Sequence, residues 1–167
     1  MKRVTRAAGL LVVAAVASGC GIPTTGVVDA GEAATGVSTA LRLYFVGDGG
    51  LQAVSRPQRR VDSLDAALKL LHEGPSEAER AAGLTTLVSS DLPINASGDG
   101  NRVTIALGEA RVDPEETGLL GQLVCTAART QSVLEDGVRP DDVQVTLASE
   151  ASALGPYRCS YFLQGAR

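Results

Sequence analysis

Short stretches of alternating apolar and polar residues, set around two amphipathic helical segments, constrain the fold of this chain more than any other feature. In Leu41–Val46 every second residue is large and apolar, Gly47–Gly50 supplies a turn, and Leu51–Val54 resumes an extended pattern. These three segments predict a β-hairpin. The segments Ile94–Ala96 and Arg102–Leu107 flank a second glycine-containing turn and predict another hairpin.

Three further strands are predicted along the chain. They are Thr85–Val88, Val143–Leu147 and Tyr157–Leu163. The first is rich in β-branched residues, and the second alternates between apolar and polar positions. Alternation of this kind indicates a sheet with one buried face and one solvated face.

The first helical segment has a clear start, stripe and end. Asp62 or Ser63 can cap it, and Gly74-Pro75 stops it, because proline cannot continue a helix. A short helical turn is predicted to follow over Glu77–Ala82. The apolar stripe has helical spacing and consists of Leu64, Ala67, Leu68 and Leu71.

The second helix is predicted from about Pro114 to Thr130, with Glu115 and Glu116 in its first turn, where the helix dipole favours acidic groups. Beside its apolar stripe runs a stripe of small residues: Gly118, Gly121, Cys125 and Ala128. Together these elements predict an α+β fold. We expect a two-layer sandwich in which a mixed β-sheet is covered on one face by two main helices.

Composition limits the chain to one domain and excludes one class of partner. The 167 residues are 44% hydrophobic and only 3% aromatic, so the core must consist of Leu, Val and Ala. Removal of the first 19 residues would take away Lys2, Arg3 and Arg6 and would change the net charge from −4 to −7. A chain with this net charge offers no basic face to bind phosphates, so nucleic acid is excluded as a partner.

The uncharged apolar run Ala7–Ala17 follows a basic N-terminus and ends three residues before Cys20. It is too short to span the ~30 Å of bilayer hydrocarbon, but its length suits a signal peptide. Small residues precede Cys20. This segment resembles the lipobox of bacterial lipoproteins, in which diacylglycerol is attached to the cysteine thiol before the signal peptide is cleaved. The alternative is an ordinary secretory signal that contains a cysteine. We expect residues 1–19 to be a signal peptide and Cys20 to be the lipid attachment site.

Residues 20–40 are expected to be the lipid anchor and a flexible tether. Gly21–Ala40 is rich in Gly, Ala, Thr and Val without a structural period. A coil of this length reaches about 25 Å. Two or more acyl chains make a stable anchor. The folded domain, residues 41–167, is therefore expected at the extracytoplasmic face of the cell membrane.

The other two cysteines, Cys125 and Cys159, are predicted to form a disulfide. Disulfides persist outside the cytoplasm. The small-residue stripe around Cys125 lets its helix approach a strand closely enough for the bridge. Closing a loop of roughly 35 residues would contribute about 3–4 kcal/mol. The alternative is two separate buried thiols.

Four segments together resemble the GerMN (sporulation and spore-germination) domain: RLYFVGDGGLQAVSR, ALKLLHEGPSEAERAAGLTT, RVTIAL and GQLVCTAA. With CGIPTTG at the lipobox, the chain more closely resembles the small actinobacterial lipoproteins that carry one such domain. The resemblance covers Leu41 to about Ala148. It implies a compact α/β module, related to ring-building domains, that serves envelope assembly or partner contact. It brings no catalytic residues with it.

No catalytic or metal-binding constellation is evident in the sequence. His72 is the only histidine, and its place in the last turn of a helix indicates a capping or surface role. Asp48 and Asp99 lie in glycine-rich turns, whose chemistry explains them without calcium. We therefore expect no enzymatic activity, no metal and no cofactor.

We expect a module that binds another envelope protein through its solvated sheet face or an exposed strand edge. One alternative is a lipoprotein that binds a small cell-wall fragment at a shallow site, and a hydrolase is the third possibility. The candidate interaction residues are Arg42, Tyr44, Arg102, Thr104 and Gln144.

Overall fold

The computed structural model describes residues 40–163, so the expected signal peptide and Cys20 lie outside the described residues, as does all but the last residue of the expected tether. The first two strands, β1 (Leu41–Gly47) and β2 (Gly50–Arg56), pair antiparallel over seven residue pairs without a bulge. This confirms the first predicted hairpin. The buried face of β1 consists of Leu41, Leu43 and Phe45.

Helix α1 (Leu64–Glu73) begins and ends where the sequence predicts. The hydroxyl of Ser63 accepts a hydrogen bond from the Ala66 N–H at 3.2 Å. Gly74 follows the helix with a φ of 79°, a conformation that favours glycine. All four residues of the predicted apolar stripe are buried. A short helix, α2 (Glu77–Ala81), follows and buries none of its residues.

The predicted strand Thr85–Val88 is wrong beyond its first residue. Thr85 exchanges two backbone hydrogen bonds with Val46, at 2.9 and 2.8 Å. The following N–H groups are bound by side chains instead: that of Leu87 donates to Gln122 Oε1, and that of Val88 donates to Thr86 Oγ1. Because these donors are already used, the pairing with β1 stops after one residue.

The remaining strands form a four-stranded mixed sheet. Its strands, in spatial order, are β3 (Asn95–Asp99), β4 (Arg102–Ala106), β5 (Gln144–Ala148) and β6 (Ala153–Tyr157). The β4–β5 pair is parallel and the other two pairs are antiparallel. The second predicted hairpin is confirmed as β3–β4, and the predicted strand Val143–Leu147 is confirmed as β5. Within residues 40–163 the strands therefore belong to two sheets.

Helix α3 (Thr117–Leu134) connects β4 to β5 and contacts both sheets as well as α1. It begins three residues later than predicted, because Asp113 forms a turn ahead of it. The Asp113 carboxylate accepts the Glu115 N–H at 2.8 Å, and its carbonyl accepts the Glu116 N–H at 3.0 Å. Both glutamates thus precede the helix. The buried residues of α3 include four polar ones: Gln122, Thr126, Thr130 and Gln131.

The last predicted strand, Tyr157–Leu163, is wrong. Strand β6 ends at Tyr157, and Cys159–Leu163 forms helix α4. Cys159 and Phe162 are buried, whereas Tyr161 is 65% exposed. In a strand, Cys159 and Tyr161 would point to the same face, so this burial pattern requires a helix.

One hydrophobic core joins the two sheets to α1 and α3, and the described residues lie within a single compact unit. The predicted α+β class, with a mixed sheet and two main helices, is confirmed. Among residues 40–163, no helix is both long enough and apolar enough to cross a membrane.

Candidate functional site

The outer face of the four-stranded sheet carries three of the five predicted interaction residues. Arg102 and Thr104 on β4 are exposed, and Gln144 lies beside Arg102 across the parallel β4–β5 pair. Residues directly opposite each other on paired strands share one face of the sheet. We name this surface the polar sheet face; it consists of Ser97, Asp99, Arg102, Thr104, Gln144 and Thr146.

The alternation of side chains along β4 and β5 explains this surface. Val103, Ile105, Val145 and Leu147 are at most 2% exposed and belong to the core. Because successive side chains in a strand point to opposite faces, the residues between them point outward. Asp99 lies opposite Arg102. The polar sheet face therefore combines both charges with hydroxyl and amide groups, which suits hydrogen bonding to another protein surface.

The structure does not bring Arg42 and Tyr44 to the polar sheet face. Both lie on β1 in the two-stranded sheet, where they are partly buried. Burial raises the pKa of Tyr44 above its ordinary value of 10, although the positive charges of Arg129 and Arg42 oppose this rise. The Tyr44 hydroxyl is therefore neutral at physiological pH. Alternation defines a face within each strand but not the sheet that the strand joins, so the sequence could not separate these residues from the other three.

Two buried side chains of α3 bind the backbone of β1. The amide nitrogen of Gln122 donates to the Tyr44 carbonyl at 3.0 Å, and its oxygen accepts the Leu87 N–H at 2.7 Å. Thr126 Oγ1 accepts the Tyr44 N–H at 3.1 Å. These contacts satisfy backbone groups at the edge of β1 that would otherwise be buried without partners. Sequence reasoning missed both residues, because nothing local distinguishes a buried polar helix residue from a solvated one.

The predicted disulfide between Cys125 and Cys159 is present, with the two Cα atoms 4.6 Å apart. It joins α3 to α4, whereas the sequence suggested a bridge from a helix to a strand. A Cβ atom placed on Gly121, one turn before Cys125, would lie 3.1 Å from the Cβ of Phe162. The small-residue stripe of α3 therefore lets α4 pack closely against it.

An apolar groove of about 280 Å³ lies between the end of the first hairpin, the start of α3 and α4. None of its lining residues is charged at neutral pH. The sequence did not predict the groove because it assigned α4 to a strand. The signal that could have revealed it is the helical spacing of Cys159 and Phe162 opposite the glycines of α3. The main lining residues are Val46, Leu51, Gly118, Tyr161 and Phe162.

A second hollow, of about 320 Å³, lies between α1 and β3 and contains His72. The Asp65 carboxylate in its lining accepts the Ala96 N–H at 2.7 Å. Among the described residues, no serine, threonine or cysteine lines this hollow, so His72 has no hydroxyl or thiol nucleophile beside it there. Across residues 40–163, no group of three or more His, Cys, Asp or Glu side chains could hold a metal ion.

The fold and these surfaces define a small α+β module whose described residues offer a polar sheet face and an apolar groove. The chain matches the model of the Germane family, described as sporulation and spore germination, over residues 42–146, more than half of its length. The chain therefore belongs to the Germane family. This confirms the resemblance to the GerMN domain that the four sequence segments indicated.

Among solved structures, the chain is similar to the tandem GerMN domains of the sporulation protein GerM from Bacillus subtilis. The sequence identity is 20%, and the TM-score is 0.44. The match covers 68% of this chain and 39% of that chain. No curated protein matches the chain.

Proposed function

We propose that this chain is a lipid-anchored, extracytoplasmic module that binds another protein of the cell envelope through its polar sheet face. Diacylglycerol on Cys20 anchors the chain, and residues 21–40 tether the domain near the membrane. The module acts by contact rather than by catalysis. The family description favours a role in sporulation or spore germination, and envelope signalling is the further possibility.

The exposure and register of Arg102 and Thr104 carry this proposal. Both side chains are exposed on β4, with Asp99 and Ser97 opposite them on β3. Strand β4 is paired with a strand on each side, which fixes the spacing of these two residues. Binding of a partner therefore costs little backbone conformational entropy. Arginine in such a position supplies five N–H donors in a rigid fork.

Site-specific photo-cross-linking in cells that produce the full chain tests the binding surface. A photo-reactive residue at position 104 should give one dominant cross-linked protein, which mass spectrometry then identifies. The control position for the photo-reactive residue is Glu77, which is exposed on α2 and distant in sequence from position 104. The double substitution Arg102→Ala and Gln144→Ala should remove the product from position 104. Equal products from positions 104 and 77 would contradict the proposal.

The anchor has a separate test. The intact mass of the mature chain should correspond to a first residue of Cys20 that carries acyl chains. The variant Cys20→Ser should lose this modification, and the mature form should disappear from the membrane fraction. A mature chain that begins elsewhere, or that carries no lipid at Cys20, would contradict the anchor.

The apolar groove supports a second candidate function, the binding of a small cell-wall fragment. The exposed ring of Tyr161 offers a flat apolar surface at the mouth of an uncharged groove. Soluble cell-wall fragments should then raise the melting temperature of the full chain. The rise should be lost in Tyr161→Ala and retained in Leu163→Ala, since Leu163 is also exposed but does not line the groove. No rise with any fragment would exclude this candidate.

A further inference from the structure

Three of the four sheet edges in the described part of the chain are protected against pairing with another strand. The free side of β1 is bound by Thr85, Gln122 and Thr126. At the edge of β3, the Ala96 N–H donates to the Asp65 carboxylate. Strand β6 has a register shift against β5 and contains Pro156, which has no N–H to offer.

The fourth edge, that of β2, has none of these protections. Among residues 40–163, β1 is the only strand paired with β2. Its seven residues contain no lysine and no proline, and the β1–β2 register shows no bulge. Gln52, Ala53 and Ser55 are exposed along it. An edge of this length without lysine, proline or a bulge is a template for another strand.

The charges at the two ends of β2 are complementary in an antiparallel arrangement. Asp48 lies in the turn before β2, and Arg59 and Arg60 follow it; all three are exposed. None of the three forms an ion pair within residues 40–163, and Arg56 at the end of β2 pairs with Glu79. In an antiparallel pair of two β2 strands centred on Ala53, Gly50 of each copy would lie opposite Arg56 of the other. The turn that carries Asp48 would then lie beside the turn that leads to Arg59 and Arg60 of the other copy. Pro57 would end the hydrogen-bonded ladder.

We propose that β2 pairs antiparallel with β2 of a second copy of this chain and so forms a dimer with a continuous four-stranded sheet, β1-β2-β2-β1. The occupant of this edge is a second copy because the charges match those of the same segment turned by 180°. The dimer does not depend on the polar sheet face, which lies on the other sheet.

Cysteine cross-linking of the full chain in native membranes tests the register. Residues opposite each other in an antiparallel pair have Cα atoms about 4.5–5.5 Å apart, which permits a disulfide. The variant Ala53→Cys should therefore give a product of twice the chain mass after mild oxidation. The control Ser55→Cys should not, because two Ser55 positions would be about 14 Å apart along the strand. The wild-type chain shows how much cross-linked product its own cysteines give under the same oxidation.

Self-association of the full chain, purified in detergent, tests the edge itself by sedimentation. Ala53→Lys places two like charges at the dimer axis and should weaken association at least about tenfold. The control, the double substitution Arg102→Ala and Gln144→Ala on the other sheet, should leave association unchanged while it removes partner cross-linking from position 104. The experiment therefore distinguishes failure of the proposed dimer from failure of the proposed partner contact at the polar sheet face.

Charge reversal gives the third arm of the test. Asp48→Lys should weaken the dimer, and the added changes Arg59→Glu and Arg60→Glu should restore it. Three results would overturn the proposal: a monomeric wild-type chain, equal cross-linking from positions 53 and 55, or cross-linking of position 53 mainly to a different protein.

Discussion

At the scale of single residues, Gln122 has an effect larger than its size suggests. It is fully buried, and its amide joins the Tyr44 carbonyl to the Leu87 N–H. We predict that Gln122→Leu lowers the free energy of unfolding by about 2 kcal/mol, since two partly buried backbone groups lose their partners. Urea denaturation measures this. The control Gln144→Leu, on the polar sheet face, should change stability by less than about 0.5 kcal/mol, and equal losses would contradict the role of Gln122.

The ion pair of Arg56 with Glu79 predicts a pH dependence. Two hydrogen bonds of 2.6 and 2.7 Å join the side chains. The hydrogen bond from Arg56 and, to a smaller degree, the Ser76 N–H lower the pKa of Glu79 from 4.5 to about 2. A carboxyl whose pKa is lower in the folded state contributes stability that is complete above the unfolded pKa and is lost as the pH falls through the folded pKa.

We therefore predict that Glu79→Gln costs about 1 kcal/mol at pH 7, a modest value because both side chains retain contact with solvent. The difference between the variant and the wild type should shrink as the pH falls from 4.5 to 2. Unfolding by urea at a series of pH values measures it. Glu77→Gln is the control on the same helix, and a difference that stays constant with pH would refute the prediction.

Residues that act through neighbours in sequence were predictable, and residues that act at long range were not. Ser63 and Gly74 cap and end α1 through groups within four positions of themselves. Gln122 acts on Tyr44, which is 78 positions away. The sequence pattern holds no information on such a pairing, because it depends on how the helix and the strand are brought together.

At the scale of elements, α4 is a short helix that one covalent bond holds in place. Its five residues are too few for a helix to be stable alone. We predict that reduction of the disulfide, or the double variant Cys125→Ala and Cys159→Ala, lowers the free energy of unfolding by about 3–4 kcal/mol. Chemical denaturation with and without reductant measures this. The reductant should have no further effect on the double variant, and an equal effect on both chains would contradict the prediction.

The elements that the sequence predicted well are those with one clear period. The hairpin β1–β2 alternates cleanly, and α1 keeps its spacing through to its glycine stop. The segment 157–163 fits either period over so few residues, and the burial of Cys159 and Phe162 beside an exposed Tyr161 decides for a helix. The predicted strand Thr85–Val88 failed because side chains took its backbone donors: Gln122 of α3 accepts the Leu87 N–H, and Thr86 accepts the Val88 N–H.

At the scale of the whole molecule, the division into two sheets was beyond the reach of the sequence pattern. Alternation shows that each strand has a polar side, but five polar residues from three strands look alike until the sheets are assembled. The structure assigns Arg42 and Tyr44 to one sheet and Arg102, Thr104 and Gln144 to the other. The edge of β2 became a candidate only once the other three edges were seen to be protected.

This division leads to a prediction about how the two proposed contacts combine. Ala53 lies on a different sheet from Arg102 and Gln144 and shares no hydrogen bond with them in the described part of the chain, and effects at independent sites add as free energies. With Ala53→Lys, with Arg102→Ala and Gln144→Ala, or with all three changes, the fractional losses of dimer and of partner product should therefore be the same in the combined variant as in each separate one. Sedimentation of the purified chain measures the dimer, and photo-cross-linking from position 104 in cells measures the partner product. A loss of partner product in Ala53→Lys alone would show that the partner binds the dimer rather than one copy, and the two surfaces would then form a single site.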